Sequence, residues 1–228
     1  LSTLVLLLAL AAPGVDLKLG FSYQGNMTEE SSSRQAYDLL AEGFGPGFSG
    51  PLLVAVDTSK VTDQELTSLA VALQNDAGVA FVQAPERSPV GEAATILVFP
   101  TTAPQDPGTV ELLNRIRGPI FDSVLSDGAK AHVGGSTASF ADVSDRVQSR
   151  LPIFIAGVIA LSFILLMLVF RSILVPIKAA PLNLLSIGSA YGVLVMVFQW
   201  GWGRSLIGLE EAVPIVSFIP MFMFAVLF

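Results

Sequence analysis

The chain has no cysteine and little charge. Because all 228 residues lack a thiol, neither a disulfide framework nor a thiolate metal site can form within this sequence. Only 14% of the residues are charged, below the roughly 25% that is typical of soluble domains. Hydrophobic residues make up 52%, and the mean hydropathy is +0.68. The composition predicts an integral membrane protein and leaves the redox compartment open.

Basic residues are also few, and the acids are concentrated in one region. The sequence has 12 Lys or Arg against 19 Asp or Glu, which gives a formal net charge of −7. Of the acids, only Glu210 and Glu211 lie beyond Arg150. An acidic surface repels phosphate, which argues against nucleic acid as a partner. The single histidine, His132, is better interpreted as a strand residue than as a metal ligand, because it has no cysteine partners.

Uncharged runs long enough to cross a bilayer divide the chain. The N-terminal run lacks the basic start of a signal peptide, so we interpret it as part of a helix cut from a longer chain. We expect both ends to be the ends of a fragment. The predicted segments are 1–15 (C-terminal part of a transmembrane helix), 16–150 (extracytoplasmic domain), 151–170 (transmembrane helix), 171–178 (cytoplasmic loop), 179–203 (transmembrane helix), 204–211 (outer loop) and 212–228 (start of a truncated transmembrane helix).

The charges between the spans predict their orientation. Arg171 and Lys178 give the segment 171–178 two cations and no acid, whereas 204–211 has one cation and two acids. The positive-inside rule places the first of these loops in the cytoplasm and therefore places the acidic domain outside. Trp200 and Trp202 then fall at the outer end of a span, where an aromatic belt and helix packing are equally good interpretations.

The span 179–203 contains residues suited to helix packing. Gly188 and Gly192 are four residues apart and, with Ser189 and Ala190, put small side chains on roughly one helical face. Asn183 is the one amide well inside this span, and a hydrogen bond between helices is its favoured role. The helix-packing candidates are therefore Asn183, Gly188 and Gly192. No Asp, Glu, Lys, Arg or His lies inside any complete predicted span, so no proton or ion relay is predicted there.

The acidic segment has the pattern of a small α+β domain. Strands are predicted at 52–57, 79–83, 93–99 and 129–133, and helices at 31–42, from 62 to a stop at 78, and at 109–125. From residue 52 the order is βαββαβ, which predicts a ferredoxin-like arrangement inserted between transmembrane helices.

Particular residues are expected to start, bend or continue these helices. Ser32 or Ser33 should cap the first helix, and the Thr62-Asp-Gln-Glu65 sequence is a capping box. Pro119 should kink or split the helix at 109–125. Ser136 or Thr137 should cap a further helix that runs directly into the span 151–170.

Several short motifs have both a functional and a structural interpretation. The turn Gly134-Gly135 before Ser136 could cradle an anion, but it lacks the lysine of a phosphate loop, and a strand exit is favoured. The acidic pairs 29–30 and 210–211 could bind cations, although solvated surface is favoured. Residues 26–28 (NMT) match the glycosylation acceptor pattern. The sequence predicts no catalytic, cofactor-binding or metal-binding residue, and thus no enzyme.

Three segments together resemble one protein family. They are residues 26–51 (NMTEESSSRQAYDLLAEGFGPGFSGP), 134–138 (GGSTA) and 170–180 (FRSILVPIKAA). They are similar to the MMPL transporters of the resistance–nodulation–division (RND) superfamily, and the chain looks most like the second of that family's two repeats. The resemblance covers essentially the whole chain. It would make residue 1 part of the seventh helix and residue 212 the start of the tenth.

The resemblance implies proton-motive-force-driven export of lipids or other hydrophobic molecules, with the acidic segment as a porter domain. The implied partners are membrane lipids, a hydrophobic or lipid substrate, the other repeat of the same transporter and further copies in a homo-oligomer. The implied location is a bacterial plasma membrane, crossed several times. The family's Asp-Tyr proton relay would lie beyond Phe228, so we expect no transport from this fragment alone. The alternative is a membrane-anchored sensor or assembly factor with an extracytoplasmic partner-binding domain, because similar architectures also serve such roles.

Overall fold

The chain forms two compact units. The computed structural model describes residues 2–21, 23–203 and 213–227. One unit, here called the helical unit, consists of Leu1–Ser22 and Val143–Phe228, and the other, the inserted domain, is Tyr23–Asp142. Every residue of the inserted domain is described. The predicted outer loop at 204–211, with Glu210 and Glu211, lies outside the described residues.

Helices and strands alternate through the inserted domain and give way to long helices after it. In chain order the elements are α1 (Ser2–Ala11), β1 (Leu19–Gly20), α2 (Ser32–Phe44), β2 (Leu52–Asp57), α3 (Asp63–Gln74), β3 (Val79–Val82), β4 (Glu86–Arg87), β5 (Ala93–Pro100), α4 (Pro107–Arg115), α5 (Phe121–Val124), β6 (Ala131–Gly134), α6 (Ser136–Phe170), α7 (Leu174–Leu194), β7 (Ile215–Val216) and α8 (Ile219–Leu227). A 3₁₀ turn extends α1 to Asp16, and wider π turns follow α4 at Ile116–Ile120 and α7 at Val195–Gln199.

An antiparallel sheet with helices on one face forms the inserted domain. Its strands lie in the order β3-β5-β2-β6, and β4 also pairs with β5. Val54 on β2 lies opposite Ile96 on β5 and Val133 on β6. Because side chains alternate between the two faces of a strand, one face holds all the core positions. The buried residues on that face pack against residues of α3, α4, α5 and the turn after α4, namely Leu66, Leu69, Leu73, Leu112, Leu113, Ile116 and Phe121. The elements follow the predicted βαββαβ order, with β4 as an extra short strand in the expected turn region.

The predicted capping box of α3 is confirmed, whereas the predicted cap of α2 is wrong. Thr62 Oγ1 accepts the amide proton of Glu65 at 3.2 Å, and Glu65 Oε2 accepts that of Thr62 at 2.8 Å. In α2, both Ser32 and Ser33 are already helical and the cap position falls on Ser31. The reason is a turn in which the Ser31 amide donates to the carbonyl of Thr28 at 2.9 Å. After this turn Ser31 is extended, so the helix begins at Ser32.

A glycine, not a hydroxyl side chain, starts α6. Gly135 has a φ of +97°, and its carbonyl accepts the amide proton of Ser139 at 3.0 Å. Ser136 is the first helical residue, and the Thr137 hydroxyl donates instead to the carbonyl of Gly50 at 3.2 Å. The expected cap at Ser136 or Thr137 is therefore wrong. The predicted break at Pro119 is confirmed as a division of the helix, because Pro119 lies inside the π turn Ile116–Ile120 that separates α4 from α5.

Two helices in the described residues are long and apolar enough to cross a membrane: Ser136–Phe170 and Leu174–Gln199. The predicted loop at 171–178 is too long, since α7 begins at Leu174 and Lys178 lies within it. Pro176 falls in the first turn of α7, where its missing N–H costs no helical hydrogen bond. At the other end, the helix stops at Gln199 instead of 203, before Gly201 and Gly203, which have φ values of +75° and +71°.

The last helix also starts later than predicted. It begins at Ile219, not at 212, because residues 215 and 216 are extended and pair in parallel with Leu19 and Gly20. Pro220 then occupies the second helical position, where proline is well tolerated.

The first helix packs closely on α7. A Cβ atom at Gly192 would lie 1.7 Å from the Leu10 carbonyl oxygen, and one at Gly188 would lie 3.4 Å from Ala11 Cβ. Ser189 Oγ lies 2.8 Å from the carbonyl oxygen of Leu7. At Gly192 the two backbones are therefore too close for any side chain, which in a membrane is how helices gain van der Waals contact.

Replacing Gly192 should destabilise the helical unit. The change Gly192→Ala should cost about 1–3 kcal/mol, because the new methyl group must push α1 away from α7. The measurement is the thermal denaturation midpoint of the purified full-length protein in detergent. Gly157→Ala on α6 is the matched control, since a Cβ there meets nothing within 4 Å. Equal midpoints for the two variants would contradict the packing described.

An ion pair joins the segment after α3 to the end of α4. Arg115 donates to Asp76 through Nε at 2.8 Å and Nη2 at 2.7 Å, and the Gly78 amide donates to the same carboxylate at 2.8 Å. The hydrogen bonds from Arg115 lower the pKa of Asp76, outweighing the opposite effect of burial. A depressed carboxyl pKa stabilises the fold above the unfolded-state pKa, and this contribution is lost as the pH falls through the folded-state pKa.

The stability contributed by Asp76 should therefore depend on pH. Asp76→Asn should lower the free energy of unfolding by about 1 kcal/mol at pH 7, and the difference from wild type should shrink in acid, near and below about pH 4. The thermal midpoints of the full-length protein at several pH values measure both effects. Asp38→Asn, which breaks the exposed pair between Arg34 and Asp38, is the control and should cost less. If the difference in thermal midpoint between wild type and Asp76→Asn is unchanged in acid, the prediction is wrong.

Candidate functional site

The polar candidates from the sequence are dispersed over the surface. His132 is exposed on β6 opposite Ala55, and Glu29 and Glu30 are exposed before α2. In the part of the chain that the structure describes, no three His, Asp or Glu side chains come together closely enough to hold a metal ion. Asn26 of the NMT sequence is half-buried, and its Oδ1 accepts the amide proton of Tyr23 at 3.1 Å.

The glycine pair before α6 has a steric role. A Cβ atom at Gly135 would lie 2.9 Å from the carbonyl oxygen of Pro51, and the residue has a positive φ. Both facts favour glycine at this position without reference to a bound anion. The structural interpretation of Gly134-Gly135 is thus sufficient to explain the sequence.

The helix-packing candidates lie along α7. Gly188 and Gly192 contact the end of α1, and Asn183 is half-buried nearer the start of α7. Trp200 and Trp202, just beyond the helical segment, are 46% and 62% exposed, with ring centroids 5.8 Å apart.

A buried hydroxyl junction in the helical unit is a feature that sequence reasoning missed. Ser217 is fully buried, and its Oγ lies 2.8 Å from Ser144 Oγ and 3.1 Å from the Gly20 carbonyl oxygen. Its amide also donates to Gly20 at 3.0 Å. The junction connects α6, β1 and the segment before α8. No sequence signal marks it, because serines are frequent and these three residues are far apart in the chain.

Carboxylates dominate the charge of the inserted domain. The domain has 15 Asp or Glu and 6 Lys or Arg. Each of its four arginines is engaged with a carboxylate, in the pairs Arg34–Asp38, Arg87–Asp63, Arg115–Asp76 and Arg117–Asp142. The basic side chains therefore mostly neutralise acids within the domain, and the surplus charge is negative.

The sheet of the inserted domain has one face that its helices leave open. On this face the side chains are half-buried or exposed, and they include Leu53, Ala55, Thr95, Leu97, Phe99 and His132. Phe81 on β3 lies opposite Phe99 on β5, and its side chain is 57% exposed.

Four phenylalanines form a stack at one end of this open face, and we call this stack the aromatic face. The ring of Phe48 lies between those of Phe44 and Phe99, with centroid distances of 4.6 and 5.2 Å and interplanar angles of 22° and 17°. The ring of Phe81 follows that of Phe99 at 5.9 Å and 35°. Phe44 and Phe81, at the two ends of the stack, are the most exposed members, at 66% and 57%.

The sequence contains only part of the signal for this stack. Phe44 and Phe48 lie among glycines in residues 43–50, which by themselves indicate a chain break. Phe81 and Phe99 lie on strands that are not adjacent in the chain's secondary-structure order, since β4 intervenes. Only the register of β3 and β5 brings these two rings together.

Comparison with known proteins identifies the family. The sequence model of the MMPL family matches residues 30–226. The chain is 34% identical to "Membrane protein YdfJ" of Bacillus subtilis, over 99% of this chain and 31% of that protein. It is 30% identical to "Mycolic acid-containing lipids exporter MmpL11" of Mycolicibacterium smegmatis, over 98% of this chain and 24% of that protein. It is also 30% identical to "Heme uptake protein MmpL11" of Mycobacterium tuberculosis, over 100% of this chain and 24% of that protein.

The chain spans between about a quarter and a third of the length of these relatives. The family match nevertheless covers most of the chain, from the loop before α2 to α8. The two long apolar helices agree with this assignment. The chain is therefore a membrane protein that belongs to the MMPL family.

Proposed function

We propose that the chain is part of a proton-motive-force-driven exporter of lipids or other hydrophobic molecules. In this proposal the inserted domain is a ferredoxin-like porter domain on the extracytoplasmic side of a bacterial plasma membrane. The observation that carries the proposal is the insertion of a folded acidic domain between the apolar helices α1 and α6. A domain anchored at both ends acts at the membrane surface, where hydrophobic cargo enters or leaves the bilayer.

The sheet topology supports the ferredoxin-like assignment of the inserted domain. Numbered within the domain, the main strands β2, β3, β5 and β6 are the first to the fourth, so the spatial order is second, third, first, fourth. Every neighbouring pair is antiparallel. Two interleaved βαβ halves produce this order, because each crossover helix returns the chain to a strand two positions away.

The names of the relatives support a hydrophobic cargo. One is named as an exporter of lipids that contain mycolic acid and another as a heme uptake protein. Both named cargoes have large apolar parts, although the named directions of transport are opposite. We propose export for this chain because the family resemblance seen in its sequence implies export. We propose membrane lipids, the hydrophobic substrate, the other repeat and further copies of the protein as its partners.

Proton coupling would be supplied by other helices of the whole protein. The described parts of α7 and α8, and α6 beyond Arg150, contain no carboxylate and no histidine. A proton relay through a membrane requires such ionisable groups. The proposal therefore assigns this chain to cargo handling and helix packing.

Thiol labelling should establish the orientation. Because the chain has no cysteine, a single introduced thiol reports on one position, once any cysteines elsewhere in the whole protein are replaced. Val90→Cys, at a site 94% exposed in the inserted domain, should react with a membrane-impermeant maleimide in intact cells. Ile173→Cys, between α6 and α7, should react only after permeabilisation. The reverse pattern would place the inserted domain in the cytoplasm and refute the proposed orientation.

Transport by the full-length protein should depend on a proton gradient. Proteoliposomes that contain a fluorescent long-chain lipid should move it across the bilayer when a pH gradient is imposed, and a protonophore should abolish the movement. Empty liposomes under the same gradient are the control. If lipid movement does not respond to the pH gradient and the inserted domain binds a protein partner specifically, the result would instead support a sensor or assembly factor.

A further inference from the structure

We propose that the aromatic face of the inserted domain binds cationic aromatic molecules. The site consists of Phe44, Phe48, Phe81 and Phe99, and the occupant is a planar ring system that carries positive charge. This inference deepens the proposed function by naming a substrate class for the porter domain, and it rests on that function. The argument depends on the geometry of the rings, on the loop that holds them and on the charge of the domain.

The two ends of the stack are open to a further ring. Phe48 has a neighbouring ring on each side, whereas Phe44 and Phe81 each have only one such neighbour within the stack. Both end rings are more than half exposed. Exposed apolar patches of this kind mark binding surfaces, and aromatic rings prefer offset stacking on one another. A planar ligand can therefore extend the stack at either end.

The loop that carries Phe48 is built to hold the ring on Phe99. A Cβ atom at Gly47 would lie 2.0 Å from the carbonyl oxygen of Pro100, the residue after Phe99. Only glycine lets the loop come this close to the end of β5. At Gly45 a φ of +96° turns the chain out of α2, and the Phe48 amide donates to the Gly45 carbonyl at 3.1 Å. The backbone of this loop thus sets the position of Phe48 beside Phe99.

The charge of the domain selects against anions at this face. Its four arginines are engaged with carboxylates, and its two lysines, Lys60 and Lys130, act on Asp57. Asp57 pairs with Ala93, at the opposite end of β2 and β5 from Phe99. An anionic ligand on the aromatic face would therefore lie far from these lysines.

A cation, in contrast, is favoured both locally and by the domain as a whole. The faces of aromatic rings attract cations through the ring quadrupole. The surplus of carboxylates in the domain raises the local concentration of cations. Glu42, exposed on α2 two residues before Phe44, adds a negative charge near one end of the stack.

One side-chain hydrogen bond at each edge of the sheet disfavours an added strand as the occupant. On the edge strand β6, Arg117 Nη2 donates to the carbonyl of Val133 at 2.9 Å. On the other edge, the Val82 amide of β3 donates to Gln74 Oε1 at 2.9 Å. A peptide that extends the sheet would have to displace these bonds.

The test compares two dyes with the same xanthene ring system and opposite charge. Full-length protein in nanodiscs of zwitterionic lipid is titrated, without a pH gradient, into tetramethylrhodamine methyl ester, which is cationic, or fluorescein, which is anionic. Fluorescence anisotropy reports binding after subtraction of empty nanodiscs. The cationic dye should bind at least about tenfold more tightly than the anionic dye, because ring stacking and charge act together.

Substitutions in the stack should distinguish binding that needs an aromatic ring from binding that needs only an apolar side chain. The double variant Phe44→Ala with Phe81→Ala should weaken binding of the cationic dye at least about tenfold, and Phe44→Leu should weaken it about threefold or more. Leu39→Ala on the same helix as Phe44 removes a side chain that is 69% exposed, and it should leave binding unchanged. Gly47→Ala should also weaken binding, whereas Gly43→Ala should not, since a Cβ at Gly43 meets nothing within 4 Å.

Three results would overturn the inference. Binding that survives the double variant, equal binding of the two dyes, or full binding by Phe44→Leu would each contradict the binding of cationic aromatic molecules by the aromatic face. Because the assay uses no gradient, its outcome is distinct from that of the lipid transport assay. Stack-dependent dye binding without lipid transport would refute the proposed function alone, and lipid transport without dye binding would refute this inference alone.

Discussion

The burial of one face of the sheet determines the rest of the inserted domain. Val54, Ile96 and Val98 are wholly inaccessible to solvent, and the helices α3 and α4 cover them with leucines. Removal of apolar surface from water contributes roughly 25 cal/mol per Å², so this layer is the main source of stability. With α3 and α4 on that face, the other face is left open except where the loop after α2 places Phe48 on Phe99, and the end rings Phe44 and Phe81 stay exposed.

In the helical unit the main constraint is different, because polar groups in an apolar environment need hydrogen-bond partners. Its buried hydroxyls bond to backbone carbonyls, as at Ser189 with Leu7 and Ser217 with Gly20. A polar atom left without a partner in hydrocarbon would cost several kcal/mol. The hydrophobic effect contributes little to the association of helices within lipid. Close approach at Gly192 and these hydrogen bonds stabilise the association instead.

The sequence predicts the order of the elements better than their ends or their pairing. The capping box at Thr62 and the irregular helix at Pro119 depend on neighbouring residues, and both are confirmed. The start of α6 depends also on Gly50, which is distant in the chain. Its carbonyl accepts the hydrogen bond of the Thr137 hydroxyl, which would otherwise cap the helix. Likewise, the stack of Phe48 on Phe99 and the junction at Ser217 follow from tertiary contacts. No local pattern carries that information.

The capped edges of the sheet have a kinetic consequence. Arg117 and Gln74 each occupy one backbone group that an incoming strand would need, whereas a ligand on the open face contacts side chains. Strand addition would bring a cooperative ladder of hydrogen bonds and a slow release. Contact with a few rings forms no such ladder, so we expect a ligand on the aromatic face to dissociate faster than an added strand would. The same two side-chain bonds also hinder a strand of another molecule from pairing at these edges, which is the step by which intermolecular sheets begin.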